Sequence, residues 1–108
     1  MNSEGASLGT ASAKTAVVYA DDYLNKLTGE KIERECKLLL EEGCTELVVD
    51  LSRTEIVNSI GVSILLGVID TASNAGARVF FSEVNEPTVE LFDMLGVTRH
   101  ADILDRAA

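Results

Sequence analysis

Basic residues are scarce in this chain. Lys and Arg number nine against eighteen Asp and Glu, a formal net charge of −9. Neutralising nucleic-acid phosphates or an anionic membrane surface takes clustered Lys and Arg, so this balance disfavours both as partners. It favours a partner with a basic patch, approached with electrostatic steering. Long apolar runs are also missing, and none approaches the roughly 20 residues that span a bilayer. The first residues, MNSEGASLGTASAK, lack the charged region followed by an apolar stretch that marks a secretory signal, so a cytoplasmic location is expected. Only two cysteines occur, Cys36 and Cys44, without metal-like spacing, and they read as reduced thiols near the core. The single histidine, His100, has no Cys or Ser partner in a recognisable motif and reads as a surface or cap residue. No glycine-rich loop suited to cradling a phosphate is present, because Gly61 and Gly67 fall inside a helical pattern. These absences argue against an enzyme, and no cofactor or metal is expected.

What is present suits one domain. At 108 residues and 46% hydrophobic, the chain can bury one core. Residues 1–14 are Gly, Ser, Ala and Thr with little apolar content, and read as a flexible N-terminal arm ahead of a domain over 15–108. Ala16 to Ala20 is β-prone and Asp21-Asp22 stops it. A helix follows, with Thr28 as the expected N-cap, Glu30 in its first turn and Gly43 ending it. Ile32, Cys36, Leu39 and Leu40 form its apolar stripe. Leu47-Val48-Val49 has no alternation, which predicts a strand covered on both faces, closed by Asp50. A second helix is expected from about Ser59 to Asn74, then a strand over Arg78–Phe81. A third helix has Pro87 at its first position and Gly96 at its end. Val97 to Leu104 holds a last short strand or turn. Strand and helix alternate with short connections, which implies α/β architecture with right-handed crossovers.

The stretch Val49 to Gly67, VDLSRTEIVNSIGVSILLG, organises the rest. On a wheel at 100° per residue, Ile60, Ile64, Leu65, Val68, Ile69 and Ala72 share a broad core face with Gly61 amid them. Ser59, Ser63, Asp70 and Asn74 gather opposite, with Gly67 and Ser73 at the margins. Val62 and Leu66 fall on that polar side, which suits close approach by another protein. Ser59 is a hydroxyl at a helix start, where amides and the macrodipole favour an anion. The plainer roles are that Ser59 and Asn58 are only cap or turn residues and that Val62 and Leu66 are ordinary exposed apolar side chains.

Three segments together resemble a known family. Leu47-Val48-Val49-Asp50-Leu51-Ser52, then Ile56-Val57-Asn58-Ser59-Ile60-Gly61, then Ile64-Leu65-Leu66-Gly67, look like the centre of STAS domains, which include bacterial anti-sigma factor antagonists. Leu91-Phe92-Asp93-Met94-Leu95-Gly96-Val97 resembles the third helix of that family. The likeness covers about residues 15 to 104. It implies a single STAS domain: a small, mostly parallel or mixed sheet of four to five strands with three or four helices. It also implies that Ser59 is phosphorylated by a partner that is both serine kinase and anti-sigma factor, of the histidine-kinase-like ATPase type. The unphosphorylated protein then binds that partner and releases the sigma factor, and a PP2C-like phosphatase resets the switch. On that reading Asn58, Ser59, Val62, Ser63, Leu66, Gly67 and Asp70 meet the partner. Family members often carry Asp and a second small residue where this chain has Asn58 and Ile60.

Two rivals stand beside it. A STAS module whose Ser59 stays unmodified would serve as a scaffold. A receiver-like module would use Asp50 as a Mg²⁺-assisted phosphoacceptor with Asp21 and Asp22 nearby, although the chain has no convincing match to the further strand–helix unit and the lysine that such a module needs.

Overall fold

The computed structural model describes residues 14–104. The expected arm over residues 1–14 therefore lies outside the described residues except for Lys14, as does the polar tail from residue 105.

Strand β1 (Thr15–Tyr19) leads through the two-residue strand β2 (Tyr23–Leu24) into helix α1 (Lys26–Glu41). Strand β3 (Glu46–Asp50) and the short β4 (Ile56–Val57) precede helix α2 (Ser59–Asn74). Strand β5 (Arg78–Ser82), helix α3 (Glu86–Leu95), a 3₁₀ turn (Val97–Arg99) and β6 (Asp102–Ile103) complete the order. The main sheet runs β1-β3-β5-β6, and β2 pairs with β4 in a second small sheet. Every pairing is parallel. A parallel neighbour needs a crossover, and the three helices supply them. Among the described residues no helix is long and apolar enough to cross a membrane.

The helix boundaries follow from their caps. α1 starts three residues earlier than expected. Asn25, not Thr28, is its N-cap: the Asn25 side chain accepts the Thr28 amide at 3.0 Å and the Thr28 hydroxyl accepts the Asn25 amide at 3.0 Å. This reciprocal pair satisfies two donors at once, so Thr28 is the third helical residue and Glu30 falls beyond the first turn. Gly43, with φ of 95°, does end the segment. In α3 Asn85 is the cap and Pro87 the second helical position. Gly96 ends α3 in the left-handed region.

One face of the main sheet carries the core. Val18, Leu47, Val49, Val79 and Phe81 are buried there, with Ile32 and Cys36 of α1, Leu65, Val68 and Ala72 of α2, and Phe92 of α3. The Phe81 and Phe92 rings meet edge-on with centroids 5.0 Å apart, which pins α3 to the sheet. The other face is open among the described residues, so the expectation that β3 is covered on both sides fails. Val48 is only half-buried between Val17 and Phe80, its register partners. Two guanidinium groups shield the aromatics of this face, Arg53 over Tyr19 at 5.8 Å and Arg78 over Phe80 at 5.0 Å.

Asp50 fastens the C-terminal edge of the sheet. One of its oxygens accepts the Ser52 amide at 2.9 Å and the Ser52 hydroxyl at 2.5 Å, and the other accepts the Ser82 hydroxyl at 2.9 Å. Partial burial pushes its carboxyl upward, but the hydrogen bonds from Ser52 and Ser82, with Arg53 nearby, outweigh burial and hold it below the ordinary value. A depressed folded pKa contributes stability above the unfolded pKa, and that contribution is lost as pH falls through the folded value. Asp50→Asn should therefore be less stable than the parent at pH 7, with the gap narrowing below about pH 4. Chemical denaturation across pH checks this, and a gap that does not change with pH would contradict it.

Cys36 is buried, and burial, aided by Glu35 and Cys44, pushes its thiol up to about 12. The thiolate is the reactive form. A thiol reagent at neutral pH should modify half-buried Cys44 well before Cys36 in the folded protein, as peptide mapping after a short exposure would read out.

Candidate functional site

The start of α2 is built from its cap outward. Asn58 is extended (φ −106°, ψ 164°), and its side chain accepts the Gly61 amide at 2.8 Å. Its carbonyl accepts the Val62 amide at 3.2 Å, and its own amide donates to the Leu24 carbonyl at 3.0 Å. Asn58 thus satisfies two of the helix's first four donors and ties the cap to β2. The Ser59 and Ile60 amides find no acceptor among the described residues, so the positive end of the helix stays open beside the exposed Ser59 hydroxyl. The Ser59 carbonyl accepts the Ser63 hydroxyl at 3.0 Å.

Glycine makes this seat possible. A Cβ at residue 61 would lie 2.7 Å from the Leu24 carbonyl oxygen and 2.9 Å from its carbon, so only glycine lets α2 rest on β2. The loop before β4 is stitched in as well. The buried Thr54 donates its hydroxyl to the Asp21 carbonyl at 2.7 Å, its carbonyl accepts the Asn85 amide group at 3.4 Å, and the Glu55 amide donates to Asp22 at 2.8 Å.

Of the residues expected to meet a partner, Ser59, Ser63, Gly67 and Asp70 lie exposed on one face of α2, with Leu66 and Asn58 half-buried at its margins. Val62 does not join them: it is 0% exposed and belongs to the core. Ile60, expected in the core, is 55% exposed. Both corrections have one cause. The buried arc, Gly61, Val62, Leu65, Val68, Ile69 and Ala72, is rotated by about half of the ~100° step per residue from the arc expected. Seating Gly61 on Leu24 turns Val62 inward and Ile60 outward. The exposed apolar residues nearest Ser59 in the chain are Ile60 and Ile56, the latter 58% exposed and in register with the exposed Tyr23 across the β2–β4 pair. Ile56 sits in a two-residue strand too short to show a period.

Gly67 differs from Gly61. A Cβ there would meet no atom within 4 Å. It lies mid-helix on the exposed face, where glycine costs about 1 kcal/mol relative to alanine, and no internal contact of the described residues requires it.

The receiver-like reading fares poorly at Asp50. Both its oxygens are taken by Ser52 and Ser82, and Asp21 pairs with Lys31 at 3.5 Å.

The comparison with known families assigns this parallel sheet with helices on one face. The STAS domain model matches residues 11–106, and the chain belongs to that family. No curated protein sequence matches it significantly. Among solved structures it is similar to the unphosphorylated form of the anti-sigma factor antagonist SpoIIAA (16% identity, TM-score 0.68, 92% of this chain and 86% of that one). The phosphorylated form of SpoIIAA from Bacillus is similar as well (17%, 0.67, 92% and 88%). The NMR structure of TM1081, a Thermotoga maritima protein, matches at 15% identity with TM-score 0.74 over 97% of this chain and 90% of that one. A sulfate transporter family protein of Wolinella succinogenes also shares the fold (10%, 0.60, 84% and 75%). At these identities the likenesses establish the fold.

Thermal unfolding of two alanine variants tests the seat. Gly61→Ala should lose about 1–3 kcal/mol to the forced shift against Leu24, whereas Gly67→Ala should hold or gain up to about 1 kcal/mol. Equal stability of Gly61→Ala and the parent would show that α2 does not rest on Leu24.

Proposed function

We propose that this STAS domain is a signalling module of the anti-sigma factor antagonist type. Its partner is a serine kinase that doubles as anti-sigma factor and docks on the start of α2. Phosphorylation of Ser59 releases it, and a PP2C-like phosphatase restores binding. The observation that carries this reading is Ser59 itself: an exposed hydroxyl at the first residue of a rigidly capped helix, with exposed Ile56 and Ile60 beside it. Gly67 supports it further along, as a glycine in the open where another backbone can approach.

The chemistry of release follows from charge. A phosphate adds about −1.5 to −2 charge and three acceptor oxygens. Within this protein the open Ser59 and Ile60 amides and the helix dipole tolerate it. A partner packed on Ile56 and Ile60 would have to bury that dianion, which costs several kcal/mol unless it is paired. A coupling of about 1–3 kcal/mol, five- to 150-fold in affinity, is enough to switch binding. Asn58 keeps the cap without adding a second negative charge next to the phosphate, since Asn and Asp cap about equally well.

The test needs the native host. Phosphopeptide mapping should find phosphate on Ser59, and the Ser59→Ala protein should bind the captured kinase-like partner at least about tenfold more tightly than Ser59→Glu. Ile60→Lys should weaken the same binding while leaving the melting temperature within about 2 °C, because its side chain is exposed. Equal binding by Ser59→Ala and Ser59→Glu would leave the non-switching scaffold as the better account.

A further inference from the structure

The face of the main sheet turned away from the helices is uncovered among the described residues, whereas parallel sheets nearly always carry a layer on each face. The middle row of this open face is Val17, Val48 and Phe80, register partners across three strands. Tyr19 lies two residues beyond Val17 and so on the same side. Val17 is 46% exposed and Tyr19 56%.

The charged groups around this row are already partnered within the chain. Glu46 accepts the Thr15 hydroxyl at 2.7 Å, and Asp102 holds Arg78 at 3.0 Å. Both oxygens of Asp50 are taken by Ser52 and Ser82. Arg53 and Arg78 lie over the Tyr19 and Phe80 rings. Two guanidinium groups against three carboxylates leave this face a formal −1, in a chain whose net charge is −9. A basic partner is therefore steered to the remaining surface. What fits here is a surface with an apolar centre, both charge signs around it and little net charge, and the same face of a second copy has that character. Elsewhere two copies would press like charges together. A patch carrying both signs can be its own complement across a two-fold axis, and covering this one leaves no carboxylate without a donor.

We propose that two copies of this chain pack their open sheet faces together, about 10 Å apart, with Val17, Tyr19, Val48 and Phe80 at the centre of the contact. Residues 1–13 offer poorer cover, since Met1 and Leu8 are their only large apolar side chains. The footprint is about 19 Å across four strands and about 16 Å along five residues, roughly 300 Å² in plan, with Tyr19, Arg53 and Arg78 standing above it. Stable complexes bury about 800 Å² on each partner, so this dimer is weak and depends on concentration. It leaves α2 free and does not depend on the role assigned to Ser59.

Sedimentation equilibrium of the full chain from about 10 μM to about 1 mM, the range suited to a small interface, tests it. A monomer–dimer equilibrium should appear. Val17→Lys should weaken it at least about tenfold without unfolding the chain, the scale of one lost central contact. Leu38→Lys, at an exposed position of α1, should leave the dissociation constant unchanged. In a mixture of labelled and unlabelled parent chains, isotope-filtered NOEs should join the Phe80 and Tyr19 rings of one copy to the Val17 and Val48 methyls of the other, a readout that needs no variant. The proposal is overturned by any of four results: a monomer at every concentration, association unchanged by Val17→Lys, association weakened as much by Leu38→Lys, or NOEs that place Met1 or Leu8 of the same chain on Phe80.

Discussion

The Leu24 carbonyl oxygen lies 2.7 Å from where a Cβ on residue 61 would stand. That close approach, open only to glycine, decides how α2 is turned. It aims Val62 into the core and leaves Ile60 at the surface. It also brings Asn58 within reach of Leu24, so the cap is bonded both to the helix it starts and to the strand it rests on. The loop that delivers Asn58 is itself held by Thr54, Asp21 and Asn85, drawn from separate connections at the same edge of the sheet. Ser59 is thus exposed on a surface whose backbone has little freedom.

A rigid seat suits a switch made of charge. Ordering a loop would cost about 1–2 kcal/mol for each residue fixed, and here that cost has already been met by folding. Adding a phosphate to a capped helix start changes the potential at the surface far more than it changes the shape. On the proposed reading, the partner would then meet a desolvation cost where it had packed on Ile56 and Ile60. Asn58 in place of an acidic residue lowers the local negative charge before phosphorylation.

Much of this fold is legible in the residues. The alternation of β-prone and helical segments, the glycines at 43 and 96, and the Asn-Ser-x-Gly start of α2 each have a local physical signature. What escaped is what tertiary contact decides. Thr28 looks like a cap until Asn25 offers a better one two residues after β-prone Tyr23. Val48 looks doubly buried because its neighbours are β-branched, yet no described layer covers its side of the sheet. Val62 and Ile60 exchange places because a wheel gives the period of a helix but not its rotation about its axis. The rotation comes from Leu24, thirty-seven positions away in the chain. The exposed serine face of α2 survives that correction, since Ser59, Ser63, Gly67 and Asp70 lie far enough from the core arc to stay outside either way.

The switch proposed at Ser59 is local and would work on a seat formed in advance. The most direct measurement compares backbone amide chemical shifts of the protein carrying phosphoserine at position 59 with those of the unmodified protein. The account predicts changes confined to the start of α2 and its Leu24 seat, with β3, β5 and α3 unmoved. Shifts spread across the main sheet or α3 would contradict it and point to a conformational relay instead.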